Sequence, residues 1–184
     1  MPNQSVIMKK PATQPARETV TFRRPNGQDG SAVWELVAAC PPLDQNSMYM
    51  NVVQCDHFAE TCIIAERDGQ IVGWISGHIP PETPQSLFVW QVAVHPDARG
   101  LGLGKRMLRE LVARPSCRGT RVLETTITRS NDSSWGLFRS FAHDMGGELS
   151  DAPHYDRHLH LGGQHATEHL VKITLPRHAL RLAA

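Results

Sequence analysis

Long apolar runs, charge of one sign and paired cysteines are all scarce in this chain of 184 residues. No apolar stretch approaches the ~20 residues that a membrane-spanning helix needs. The opening MPNQSVIMKKPATQPARET holds no apolar core of the length a secretion signal uses. The 19 lysines and arginines nearly cancel 18 aspartates and glutamates, leaving a formal net charge of +1. That lacks the basic excess of a nucleic-acid binder. The four cysteines, Cys40, Cys55, Cys62 and Cys117, form no C-x-x-C pair and match no zinc spacing. We read them as free thiols of a cytoplasmic protein. What remains is an ordinary globular composition, 40% apolar and 20% charged. A single domain of this length buries roughly 70% of its unfolded surface.

Residues 1–18 are rich in proline, glutamine, threonine and basic side chains, and are expected to be a disordered leader. Residues 19–175 are expected to form one domain, with 176–184 as a tail. TVTFRRP (19–25) reads as a short strand, and DGSAVWELVAAC as a helix ended by Pro41 and Pro42. A polar and aromatic segment follows, with a short helix expected from Ser47. Two β-rich runs flank Asp68-Gly69, a hairpin signature because glycine accepts positive φ. SLFVWQVAVH (86–95) is apolar almost throughout and reads as a central strand. KRMLRELVAR carries Met107, Leu108, Leu111 and Val112 on one helical stripe. RVLETTITRS reads as a strand, and Asn131 to Gly146-Gly147 as a capped helix. Two last strands are expected in HYDRHLHL and EHLVKITL, joined by GGQHAT. An antiparallel hairpin followed by strand-helix-strand-helix-strand predicts one α/β domain with a mixed sheet.

The stretch HPDARGLGLGKRML asks for an explanation. Glycines at 100, 102 and 104 join a strand to a helix, and from Ala98 to Arg109 there are four basic residues and no acidic one. Such a turn leaves amide N–H groups unpaired at the positive end of the helix dipole. That is an anion site, and glycine lets phosphate oxygens approach the backbone. The spacing is not G-x-G-x-x-G, and Arg106 stands where a Walker A loop needs serine or threonine.

The stretch does resemble the R-x-x-G-x-G loop of the GNAT acetyltransferases, as Arg99, Gly102 and Gly104. It follows the family's V-x-P-x-x-R-G phrase, and Asn131 starts a helix after a strand, as in that family. The resemblance covers most of residues 19–175 and implies the GNAT fold. In that fold a mixed, mostly antiparallel sheet has helices on both faces and a splayed gap for acetyl-CoA. It implies acetyl-CoA as co-substrate, with no metal. It assigns contacts to Val92, Ala93 and Val94, and to the loop running from Arg99 through Gly100, Leu101, Gly102, Leu103 and Gly104 to Lys105. Asn131, Ser134 and Phe138 complete that set, although Asn131 reads equally as a plain helix cap. An N–H of the central strand would face the thioester oxygen and stabilise charge there. One departure stands out: Phe138 occupies the place where the family commonly has a tyrosine as general acid. A thiolate leaves tolerably without one, since thiols have pKa near ~8.5. Otherwise water or Tyr49 would serve.

Four phrases, PPLDQNSMYMNVVQCDHF, FVWQVAVHPDARGLGLG, LETTITRSNDSSWGLF and GGQHATEHLVKITL, resemble the branch of the family that acetylates L-2,4-diaminobutyrate on its 4-amino group, in ectoine synthesis. The resemblance implies a homodimer and a small diamino acid as partner, with neither membrane nor nucleic acid. A diamine needs carboxylates for its ammonium groups and a base, because alkyl amines have pKa near ~10. Glu124 is the candidate base, and Asp44 the candidate ammonium anchor. Asn46, Tyr49, Trp90 and Thr125 are candidates for the pocket wall. Glu124 could instead face solvent, and Trp90 could instead lie in the core. His154, His158, His160, His165 and His169 cluster late, without the helix or cysteines that would make a metal site. His160 is the candidate for the substrate carboxylate. Another amine, such as a polyamine or aminoglycoside, and a non-catalytic acyl-CoA sensor both fit the glycine loop. A sensor would not need the two carboxylates. Gly102→Val should block acetyl-CoA binding while leaving the fold largely intact. Calorimetry on the folded variant checks this, and unchanged affinity would remove the anion-site reading of the loop.

Overall fold

The computed structural model describes residues 19–176. The expected leader, and all of the tail but Pro176, lie outside that range. Seven strands form one sheet in the order β1-β2-β3-β4-β5-β7-β6. They are β1 (Thr21–Arg23), β2 (Ile63–Arg67), β3 (Gln70–His78), β4 (Ser86–Val94), β5 (Val122–Thr128), β6 (Glu148–Tyr155) and β7 (Glu168–Thr174). Only β4 and β5 run parallel; every other pair is antiparallel. Four helices cover the faces: α1 (Gly30–Ala38), α2 (Met48–His57), α3 (Leu103–Ala113) and α4 (Asp132–Asp144).

The helices divide into two layers because their apolar stripes fill two cores. Met107, Leu108, Leu111 and Val112 of α3, with Phe138 and Phe141 of α4, pack on Leu87, Val89, Leu123, Ile127, Val171 and Ile173. Val33, Leu36 and Val37 of α1, with Cys55 of α2, pack on Ile64, Trp74 and Ala93. All four cysteines are buried and free. Burial pushes the Cys55 and Cys62 thiols up to about 12. They act as small apolar side chains.

Local signals hold where expected. Asp68 and Gly69 take φ of 53° and 75°, the left-handed pair that closes β2 on β3. The Ser47 side chain accepts from Met50 N and starts α2. The expected strand HYDRHLHL is a correction. The strand ends at Tyr155, because the Asp156 carboxylate accepts the amides of His158 and Leu159 and turns the chain. Its true length lies upstream, in the polar residues of β6. These sit at the sheet edge, exposed along most of the strand.

Two features of this frame shape the site. The β4–β5 ladder holds only Ser86, Leu87 and Phe88 against Val122, Leu123 and Glu124. Beyond Phe88 the two strands have no ladder. On the other edge of β4 the register shifts, so that Val89 faces Gly77 and Gln91 faces Ser76, which makes Trp90 the extra residue of a bulge.

Two glycines give opposite stability predictions. A Cβ at Gly30 would lie 2.5 Å from Val52 Cγ2 and 2.8 Å from Val52 Cα, forcing α1 from α2. Gly30→Ala should therefore destabilise by about 1–3 kcal/mol. Gly136, inside α4, has nothing within 4 Å of its missing Cβ. Gly136→Ala should stabilise by about 1 kcal/mol through helix propensity. Urea midpoints of the two variants should move in opposite directions.

Candidate functional site

The loop between β4 and α3 has the geometry that its glycines implied. Gly100 and Gly102 take φ of 78° and 67°, with nothing within 4 Å of a Cβ at either. Gly102 caps α3 and contributes no side chain, so the amides of the first turn have no capping partner. Leu101 is exposed beside them, whereas Leu103 is buried and anchors the helix start. At Gly104 a Cβ would come within 3.3 Å of the Leu137 methyls and 3.7 Å of Val92, so α3 enters pressed against α4 and β4. Arg99 Nε donates to the Val94 carbonyl, which holds Arg99 at the end of β4. Donors, positive φ and open space fit a pyrophosphate of acetyl-CoA.

Three of the expected cofactor contacts have other occupations. Lys105 Nζ reaches Asp144 Oδ2 at 2.7 Å and Ser140 Oγ at 3.0 Å, so its charge is spent between α3 and α4. Asp144 also takes Arg109, and its carboxyl is held below the usual range, by Lys105 first. Phe138 is 2% exposed in the larger core. The Asn131 side chain accepts from Ser134 N at 3.1 Å and caps α4. Val92, Ala93 and Val94 follow the bulge on the edge of β4 that β5 has left. Val92 packs toward the α3–α4 core, and Ala93 toward the α1–α2 core.

The α1–α2 face of the gap carries carboxylates toward both ends of β5. Glu124 is the last β5 residue in the β4 ladder, opposite Phe88, and faces Lys172 of β7 on its other side. Lys172 Nζ lies 3.0 Å from Glu124 Oε1, an ion pair whose acid side chain is 12% exposed and whose base is half-exposed. Glu124 is thus neither solvent-facing nor unpartnered. Strand alternation puts Thr126 and Thr128 on the face of Glu124. It puts Thr125, buried, on the opposite face with Leu123 and Ile127. Thr126, rather than the expected Thr125, shares the face of Glu124.

A residue missed in the sequence lies on the same face, at the other end of the β5–β7 ladder. Glu168 opens β7 opposite Thr128. Burial pushes its carboxyl above the usual range, and the Asp44 charge adds to that; the hydrogen bond from Thr126 opposes it. Its only signal was position, as the first residue of the strand EHLVKITL. Asp44 itself sits on a segment tied down at two carbonyls. Gln91 Nε2 donates to Asp44 O at 2.6 Å, and Trp34 Nε1 to Asn46 O at 2.9 Å. Gln91 is 6% exposed, and its Oε1 has no partner among the described residues. Trp90 is 47% exposed on the bulge, so it is no core tryptophan. Tyr49 is 76% exposed. His160 Nδ1 accepts from Asp156 N at 2.9 Å and serves the turn after β6. Among the described residues no group of three or more His, Cys, Asp or Glu could hold a metal. No described helix is long and apolar enough to cross a membrane.

Comparison with known proteins agrees with this geometry. Residues 31–142 match the acetyltransferase (GNAT) family. The chain is 47% identical over 169 residues to the L-2,4-diaminobutyric acid acetyltransferase of Vibrio cholerae, covering 92% of this chain and 95% of that one. It is 44% identical to the enzyme of the same name from Methylotuvimicrobium alcaliphilum, covering 84% and 90%. Among solved structures, diaminobutyrate acetyltransferase EctA of Paenibacillus lautus, in complex with L-2,4-diaminobutyric acid and coenzyme A, superposes with a TM-score of 0.82 at 39% identity, covering 86% of this chain and 96% of that one. Sequence match and parted sheet coincide, and the chain belongs to the GNAT acetyltransferase family.

Proposed function

We propose that the protein transfers acetyl from acetyl-CoA to the 4-amino group of L-2,4-diaminobutyrate, giving N4-acetyl-L-2,4-diaminobutyrate, the acetylation step toward the osmoprotectant ectoine. What carries the reading is the likeness at 47% identity over 92% of the chain. The site chemistry supports it. A diamino acid carries two ammonium groups, and the α1–α2 face of the gap offers Asp44, Glu124 and Glu168.

Acetyl-CoA supplies an activated acyl group on a thiolate leaving group. The Gly100–Gly104 amides hold its pyrophosphate, and the free edge of β4 from Val92 to Val94 receives its pantetheine arm. A main-chain N–H on that edge faces the charge developing on the carbonyl oxygen. Asp44, whose carbonyl is held by Gln91, the chain neighbour of Trp90, binds an ammonium group, with Tyr49 close behind it in the chain. The proton of the attacking amine goes to Glu168. Its oxygens meet a hydroxyl and no lysine, and its raised carboxyl lies nearer the working pH, which favours a general base. Glu124, engaged by Lys172, positions the acceptor rather than receiving its proton. We further infer a cytoplasmic homodimer. Four free thiols support the compartment. The bare edge strand β6, with Tyr155 and Leu159 exposed at its end, supports association.

Steady-state thiol release with diaminobutyrate, a polyamine and an aminoglycoside tests the substrate; a sensor would show no turnover with any of them. Glu168→Gln should lower kcat by roughly 10²–10⁴-fold. Its raised carboxyl must lose its proton to act, so the acid limb of the parental kcat/KM profile should fall above the ~4.3 of an ordinary glutamate. That limb should vanish in Glu168→Gln. Asp44→Asn should mainly raise the KM for diaminobutyrate. If Glu124→Gln, and not Glu168→Gln, abolishes the limb, the base is Glu124.

A further inference from the structure

A chain of three side chains crosses the far half of the sheet and belongs to none of the roles above. Arg129 is the first residue after β5 and is exposed. Its Nε donates to His169 Nε2 at 3.2 Å. For that nitrogen to accept, the ring proton must sit on Nδ1, which lies 2.9 Å from Asp151 Oδ2. His169 is 4% exposed in β7, opposite Ile127 of β5 on one side and Pro153 of β6 on the other. The aspartate fixes the tautomer, and the imidazole fixes the arginine, as carboxylates orient histidines around reactive sites.

A simple ion pair would place the carboxylate on the arginine. Here Asp151 bonds the histidine, and the arginine is gripped by Nε alone. No hydrogen bond or ion pair to another described residue engages its two Nη groups. They form a planar fork of N–H donors, the geometry that takes a carboxylate or phosphate. The location matters as well. β5 has lost β4 as a partner beyond Glu124, and Arg129 stands at the open end of that gap, two residues before the Asn131 cap of α4.

We propose that Arg129 is an oxyanion-binding residue at the mouth of the gap, with His169 and Asp151 as its positioning residues. Two ligands of the proposed reaction carry oxyanions, the amino-acid carboxylate of the acceptor and the phosphates of acetyl-CoA. The inference rests on that reaction for its ligands, but its cofactor arm needs no acceptor.

The test is Arg129→Gln, an exposed change that leaves the core intact. If the ligand is the carboxylate, KM for diaminobutyrate rises tenfold or more. Turnover of 1,3-diaminopropane, the same diamine without the carboxylate, stays unchanged, and so does CoA affinity. If the ligand is a phosphate, calorimetry shows CoA binding weakened tenfold or more. An equal loss with dephospho-CoA then points to the pyrophosphate, and no loss to the 3′-phosphate. His169→Leu, or Asp151→Asn should the first not fold, must weaken the same ligand to a lesser degree. It must add little in combination with Arg129→Gln. Arg129→Lys should restore part of the affinity. If Arg129→Gln leaves both the diaminobutyrate KM and CoA affinity within twofold of the parent, the three residues are a cross-strand staple and the proposal is wrong. A parent inactive on diaminobutyrate would overturn the substrate reading alone, and the CoA arm would still decide the arginine's role for phosphate.

Discussion

The three-residue length of the β4–β5 ladder is the constraint on which the site depends. Two adjacent parallel strands normally share hydrogen bonds along their length, and backbone groups left without partners carry a cost. Here the pairing stops at Phe88 and Glu124. The bulge at Trp90 twists β4 away on its other edge. The resulting wedge lies between two strands that are each firmly held on their outer sides, β4 by β3 and β5 by β7. It therefore cannot close by sheet rearrangement without breaking a longer ladder. A ligand with amides of its own can replace the missing strand, which is why a pantetheine arm suits it. The same wedge delivers the β4–α3 loop to one end and Glu124 to its closed end.

Electrostatics then separate the two faces of the gap. On the α3 side, glycine amides and the helix dipole supply diffuse positive charge without a salt bridge. The nearby lysine and arginine are drawn off by Asp144. The donors that this end of the gap offers are backbone amides more than lysine or arginine of α3. On the α1–α2 side the charge is negative and local. Asp44, Glu124 and Glu168 outnumber Lys172, and the burial of Glu168 beside the Asp44 charge raises its affinity for a proton. The diamino acid of the proposed reaction, a dication at its amino groups, would relieve that repulsion. The two tethers, from Gln91 and Trp34, matter because Asp44 is on an irregular segment. Without fixed carbonyls its carboxylate would have to be ordered by each incoming substrate, an entropy cost that preorganisation removes.

Much of this was legible where the signal is local. The glycine loop, the Asp68-Gly69 turn, and the Ser47 and Asn131 caps each need only a few consecutive residues, and each appears as read. The site's partners were not legible, because they are set by register. Nothing near Glu124 announces Lys172, and nothing near Lys105 announces Asp144; both contacts exist only once β7 and α4 are docked. Thr125 and Thr126 look equivalent in the run LETTIT, yet one pleat step decides which of them shares the face of Glu124. β6 was misplaced for a related reason. An edge strand exposed along most of its length needs no apolar alternation, so ELSDAPHY carries no period, and the histidine-rich turn after it looked more like a strand. Glu168 was hidden in plain view, as a charged residue at the start of a strand that reads as routine.

Phe138 ties core and chemistry together. Its ring is 2% exposed among Leu103, Met107, Trp135 and Phe141 in the larger core. A hydroxyl at this depth would need a partner or incur a desolvation cost of about 1–3 kcal/mol. The apolar ring avoids that cost and keeps α4 seated, and α4 in turn carries Asp144, Asn131 and the Leu137 methyls against which α3 begins. In the proposed reaction no acid is needed at this place, because the leaving group is a thiolate, whose pKa near ~8.5 lies within reach of neutral water. The amine, near ~10, is the harder proton problem. The proposed reaction accordingly puts its proton handling on the α1–α2 face, where three carboxylates stand, and the thiol side is left to packing.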